Sequence, residues 1–245
     1  MWAWFERHWC WIGLATAIAL LIVLFSTNVL RDRRDVSRWR DPVWLAWLMT
    51  VAYMLHNFEE YGIDAKGRAF HFPVTACQTF GFHNVDTCPF VPAFFVAVNV
   101  PFVWLVLPIA ALWCRRNPAV GLTAAGLLLT NAMSHILGAL TPMGYSPGTV
   151  TAAIIFIPLS LWVFGTFFGR GKLLGRPIMA VILLASILAQ VVLLGLLLSL
   201  AKNAIPLPAA IAIQTVDPVL LLLLPWAASR RWPSTLAAEP TTTSL

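Results

Sequence analysis

Residues 177–201 read PIMAVILLASILAQVVLLGLLLSLA, a run without a charge in which Gln190 is the one strongly polar side chain. An α-helix rises about 1.5 Å per residue, so about 20 residues cross a hydrocarbon layer about 30 Å thick. Inside lipid no water meets the backbone, and a helix satisfies its N–H and C=O groups within one segment. The stretch therefore reads as a membrane-spanning helix. Outward from it, further apolar runs occupy roughly 9–30, 42–61, 89–114, 118–140, 148–169 and 205–229. Together these predict an all-α polytopic bundle of about seven transmembrane helices.

Composition agrees. Of 245 residues, 60% are hydrophobic and 11% charged, and the mean hydropathy is +0.81, which excludes an ordinary soluble domain. Asp41-Pro42, Asn117-Pro118, Pro147-Gly148 and Arg176-Pro177 each set a proline where a helix begins. Pro101, Pro108, Pro218 and Pro225 fall inside predicted spans, where they kink helices.

The net charge of +6 belongs to topology and not to nucleic acid, because Lys and Arg are spread over short loops. With the N-terminus outside and the C-terminus inside, twelve of them (Arg31, Arg33, Arg34, Arg38, Arg40, Arg115, Arg116, Arg170, Lys172, Arg176, Arg230, Arg231) lie inside. Four (Arg7, Lys66, Arg68, Lys202) lie outside. That asymmetry sets the orientation expected in a plasma or inner cell membrane. The first apolar run precedes its basic cluster, so it reads as helix one and not as a signal peptide. Trp2, Trp4, Trp9 and Trp11 at one end, and Trp39, Trp44 and Trp47 at the other, read as interface anchors.

The longest loop, about 62–88, lies outside in this scheme. It holds His71, His83 and Asp86, read as solvated, and Cys77 and Cys88, whose spacing leaves a disulfide and two free thiols both open. No cysteine pair has zinc-site spacing. Residues 1–233 read as one domain, and 234–245 as a disordered tail.

Ionisable side chains are rare within spans and mark functional sites by default. His56, Glu59 and Glu60 stand at i, i+3 and i+4, on one helix face. Asn131 and His135 share a face one turn apart, and Pro147-Gly148-Thr149-Val150-Thr151 opens the next helix. Helix direction brings all three groups to the outer half of the membrane. Asp217, near the midplane, is a further candidate, whereas Asn99 and Gln214 read as interhelical hydrogen bonders.

In this order and spacing, His56-x-x-Glu59-Glu60, Asn131-x-x-x-His135 and Pro147-Gly148-x-x-Thr151 resemble the motifs of the HXXEE-domain membrane proteins, over about residues 42–155. The resemblance implies an enzyme with His56, Glu59, Glu60, Asn131, His135, Gly148 and Thr151 at its site, and it supplies no reaction. The residue set is also similar in kind, though not in order, to that of intramembrane CAAX-type prenyl endopeptidases.

Two histidines and two glutamates supply the N/O ligands of a catalytic divalent metal: zinc first, with iron or manganese as alternatives. His56, Glu59, Glu60 and His135 are the expected ligands. Glu59 or Glu60 is the base toward a bound water, and Asn131 and Thr151 are the oxyanion donors. Gly148, Thr149 and Asp217 are secondary candidates. The leading expectation is hydrolysis of an amide or ester bond in a lipid or lipidated substrate. A metal-dependent oxidoreductase and a metal-free acid–base lipid cyclase are the enzymatic alternatives. From another class, the alternative is a proton- or cation-coupled transporter, which wants polar residues continued toward the inner side and an inverted repeat. Neither feature is visible.

Overall fold

Proline and a capping side chain fix where several helices start. In the computed structural model, which describes residues 1–141 and 144–234, Asp41 caps the helix that opens at Pro42. Its Oδ1 accepts from the N–H groups of Val43 and Trp44 at 2.9 and 3.0 Å. Its Oδ2 accepts from Asp32 and Arg33 N–H, each at 2.9 Å, and so shapes the preceding loop as well. Asn117 does the same before Pro118, accepting from Ala119 and Val120, while its amide donates to Ser229 Oγ at 2.8 Å. Each cap satisfies N–H groups that no intrahelical carbonyl reaches.

The chain is helical, with no strand among the described residues. We label the helical stretches α1 (Trp2–Ser26), α2 (Pro42–Tyr61), α3 (Phe72–Thr79), α4 (Pro92–Trp113), α5 (Pro118–Ala139), α6 (Thr149–Phe167), α7 (Arg176–Ala201) and α8 (Leu207–Arg231). Six of them, α1 and α4 to α8, are long and apolar enough to cross a membrane. The 20-residue α2 is long enough too, but His56, Asn57, Glu59 and Glu60 in its last turns lower its hydropathy. The expected tail falls, apart from Ser234, outside the described residues.

Helix α2 is the hub. Most of its length is buried, from Pro42 to Tyr61. One apolar core joins it to α1, α4, α5, α6 and α7 through Leu24, Leu45, Met49, Val103, Leu128, Val163 and Ile178. A second cluster closes the α3 end of the bundle around Trp9, Tyr61, Phe94, Leu200 and Ala210. Trp9 and Trp44 are fully buried, which corrects their reading as interface anchors; Trp44 Nε1 donates to the Leu24 carbonyl at 3.0 Å and ties α2 to α1. Trp2, Trp4, Trp11 and Trp39 are exposed.

Three helices are irregular where they meet the centre of the bundle. Helix α4 has a π-helical stretch over Pro101–Val106 and α6 one over Ala152–Phe156. Helix α8 tightens to a 3-10 turn at Asp217–Val219. Pro218 has no N–H to offer the carbonyl four residues before it, so the ladder cannot continue unbroken there. Phe156 of the second stretch packs on the His56 ring, and Phe102 and Asp217 of the other two line the cavity beside it.

Candidate functional site

Sequence neighbours Glu59 and Glu60, on the last turn of α2, meet different partners. Glu59 turns to the start of α6. Its Oε1 accepts from Tyr145 Oη at 2.9 Å and Val150 N–H at 3.1 Å; its Oε2 accepts from Thr151 N–H at 2.7 Å and Thr151 Oγ1 at 2.6 Å. Gly148 stands at the N-cap of α6 and has no side chain to cap with, so Glu59 supplies the cap from another helix. The N-terminal end of a helix dipole favours the negative charge placed there.

Glu60, 5% exposed, turns to the two histidines. Its Oε1 lies 3.6 Å from His56 Nε2 and 3.3 Å from His135 Nε2. Ligand atoms of the three residues all lie within 4.8 Å of one another, and all three residues are buried. Ligands about 2.1 Å from a tetrahedral zinc stand about 3.4 Å apart, which the two measured separations approach.

One hydroxyl orients His56. Thr151 Oγ1 lies 2.8 Å from His56 Nδ1 and donates its one hydrogen to Glu59 at the shorter 2.6 Å. His56 Nδ1 is therefore the donor in its own bond, and Nε2 carries the lone pair. That Nε2 is buried with no hydrogen-bond partner. Orphaned buried polar atoms are uncommon, and an acceptor between a carboxylate and a second imidazole has the chemistry of a metal ligand. The Glu59–Thr151–His56 chain has the form of the outer-shell hydrogen bonds that hold metal-ligating histidines.

Gly148 covers the cluster from above, at φ +94°. A Cβ there would come within 2.6 Å of His135 Cε1 and 2.8 Å of His56 Cε1, so only glycine fits against the two rings. Phe156, from the π-helical stretch of α6, packs on the His56 ring at a 4.5 Å centroid distance, and His135 stands edge-on to it at 4.8 Å. Thr149 binds Ser146, through its carbonyl at 2.7 Å, and stays outside the cluster.

Beside the cluster lies a cavity of about 740 Å³, within the range of small-molecule sites. Glu60, His135 and Asn131 line its wall; Phe72 and Thr75 of α3 cover it; Gln214 and Asp217 of α8 lie along it. Asn131 Oδ1 is buried without a partner. Asn99 is interhelical as expected, its amide donating to Tyr61 Oη at 3.1 Å. Gln214 was expected to bond between helices, but it makes no hydrogen bond among the described residues and its Oε1 is buried unpartnered. His71, expected to be solvated, lines the cavity and is pulled below the usual imidazole range, by burial first and then by the charge of Arg68.

Sequence reasoning missed Tyr145. Its hydroxyl donates to Glu59 and accepts from Ala65 N–H at 3.0 Å, joining the 62–70 loop to α2 and α6. No sequence signal distinguishes it from an interfacial tyrosine. Cys77 and Cys88 are joined by a disulfide, closing the question their spacing left open.

The fold and site thus define a polytopic helical membrane protein with a buried His–Glu–His cluster beside a cavity. Residues 47–163 match the family described as "Protein of unknown function with HXXEE motif". The matched stretch runs from α2 into α6 and contains all three motifs. No curated protein and no solved structure matches the chain.

Proposed function

We propose that this protein is a metal-dependent membrane hydrolase, cleaving an amide or ester bond in a lipid or lipidated substrate. The observation that carries the reading is His56 Nε2, buried, unpartnered and aimed with His135 at one Glu60 oxygen. His56, Glu60 and His135 would hold a divalent metal, zinc in the first instance and iron or manganese as alternatives. A metal held there would supply a Lewis acid and would make water more acidic.

The chain's own residues supply the rest. Glu59 and Thr151 act as positioning residues, fixing the tautomer and tilt of His56. Glu60 Oε2 meets no donor among the described residues and remains free to take a proton from water. The amide of Asn131, one turn from His135, is placed to donate to a carbonyl oxygen as it gains charge. A largely apolar cavity beside the cluster fits an acyl chain.

We further propose seven spans with the N-terminus outside, α2 among them. Loop charge supports this, as does a disulfide in the 62–88 loop, since such bonds persist in oxidising compartments. The site then faces the extracytoplasmic half of a plasma or inner cell membrane.

The 3.3 Å His135–Glu60 contact favours a second reading, in which the two groups share a proton and catalyse acid–base chemistry without metal. Purified protein in nanodiscs, incubated with a mixed membrane-lipid extract, separates the two. The metal reading expects release of a fatty acid or an amine that stops on chelation and in Glu60→Gln. Release that survives chelation assigns the site to acid–base chemistry. Proton or cation flux in liposomes, abolished by the same change and without bond cleavage, would establish transport instead.

A further inference from the structure

Away from the metal cluster, the cavity carries a second polar centre that the hydrolytic reading leaves unused. Asp217 and Gln214, 7% and 4% exposed, both line it from α8. Neither takes part in a hydrogen bond or ion pair among the described residues, and Gln214 Oε1 is buried without a partner. An isolated carboxylate beside an unpaired carboxamide is costly in such a place. Satisfied protein groups do not explain the pair, and a bound ligand can.

Asp217 lies ten residues into α8, about 15 Å from its start, and His135 four residues from the end of α5, about 6 Å. Both residues line the same cavity. The 3-10 turn at Asp217–Val219 presents Asp217, and the break at Pro218 leaves one more backbone carbonyl short of its usual donor.

A carboxylate, a carboxamide oxygen and a spare carbonyl ask for hydrogen-bond donors and positive charge. The cations nearest the cavity, Lys66 and Arg68, belong to the loop at its mouth, and Arg68 is already paired with Asp64 at 2.7 Å. We propose that Asp217 and Gln214 form an ammonium subsite, holding the amine head of an amphiphilic substrate whose scissile carbonyl reaches Glu60 and His135. This rests on the reading of the cavity as the substrate chamber of a hydrolase. Charge-assisted N–H···O bonds to a desolvated carboxylate are among the strong ones, which suits recognition inside a largely apolar chamber.

The test uses the full chain in nanodiscs of uncharged lipid, with dodecylamine as the probe and dodecanoate and dodecanol as controls. Thermal unfolding is followed by tryptophan fluorescence. Dodecylamine raises the wild-type midpoint and the controls do not. The half-saturating concentration rises about tenfold or more in Asp217→Asn, as expected for loss of one charged hydrogen bond. It falls in Gln214→Glu, a direction that misfolding cannot mimic. Equal responses of wild type and Asp217→Asn, or equal responses to amine and alcohol, overturn the subsite.

Two further measurements keep this apart from the metal reading. His135→Ala loses bound metal and keeps the dodecylamine response, whereas Asp217→Asn keeps its metal. Loss of the amine response in wild type with metal intact removes the subsite alone.

Discussion

A hydroxyl has one hydrogen to give, and that of Thr151 goes to Glu59 while its oxygen takes the Nδ1 hydrogen of His56. Thr151→Val removes both bonds and keeps the shape. Metal affinity should then fall about 10- to 100-fold, the range for losing an outer-shell partner, and Thr151→Ser should restore it. Competition against a fluorescent zinc chelator reads both. Gly148→Ala is the steric counterpart: it sets a Cβ against two imidazoles at positive φ. Left-handed backbone and overpacking together should destabilise the protein by about 2–5 kcal/mol, read as a lower denaturation midpoint. The ionisable residues of the site were legible in sequence because they are costly to keep within spans. The cap that Glu59 provides was not, because two of its donors are backbone N–H groups of a distant helix, which no side-chain pattern encodes.

Helix α3 covers the cavity, and the disulfide between Cys77 and Cys88 ties its C-terminal end to the segment before α4. A cross-link closing a loop of this length contributes about 3 kcal/mol in the chain-entropy account. Reduction, or Cys77→Ser with Cys88→Ser, should raise amide exchange over 72–88 and leave α4 to α8 protected; unchanged exchange there would show that packing alone holds the cover. The adjoining loop turns on Asp64. Burial alone would raise its carboxyl, but the N–H and guanidinium of Arg68 and the N–H of Lys66 outweigh it and hold it below the usual carboxylate range. A depressed pKa contributes stability that is complete above the unfolded value of about 4 and is lost as pH falls through the lower folded value. Protection factors over 62–70, corrected for the intrinsic pH dependence of amide exchange, should accordingly be flat from pH 7 to about 5 and fall below about 4. Seven helices could be read from hydropathy, whereas α3 could not: eight residues lack a spanning signal, and the helix is held by the aromatic cluster it packs on.

At the scale of the molecule, α2 connects topology and site. It falls short of the apolarity of the six helices that could cross a membrane because its last turns carry the cluster, and it is buried along most of its length. Seven spans put the two termini on opposite sides of the membrane and six put them on the same side. A C-terminal reporter active only in the cytoplasm, paired with an N-terminal tag reachable from outside in intact cells, is expected to show the former. Both signals on one side would remove α2 from the spans. The cavity was invisible in sequence, being a space enclosed by side chains from α2, α3, α4, α5, α7 and α8. The central claim is that His56, Glu60 and His135 hold a metal, and elemental analysis of the protein purified in mild detergent without chelator tests it most directly. Near-stoichiometric zinc, iron or manganese is expected in wild type, lost in Glu60→Gln and His135→Ala while the fold is retained. Wild type that cleaves its substrate with no metal bound would contradict it.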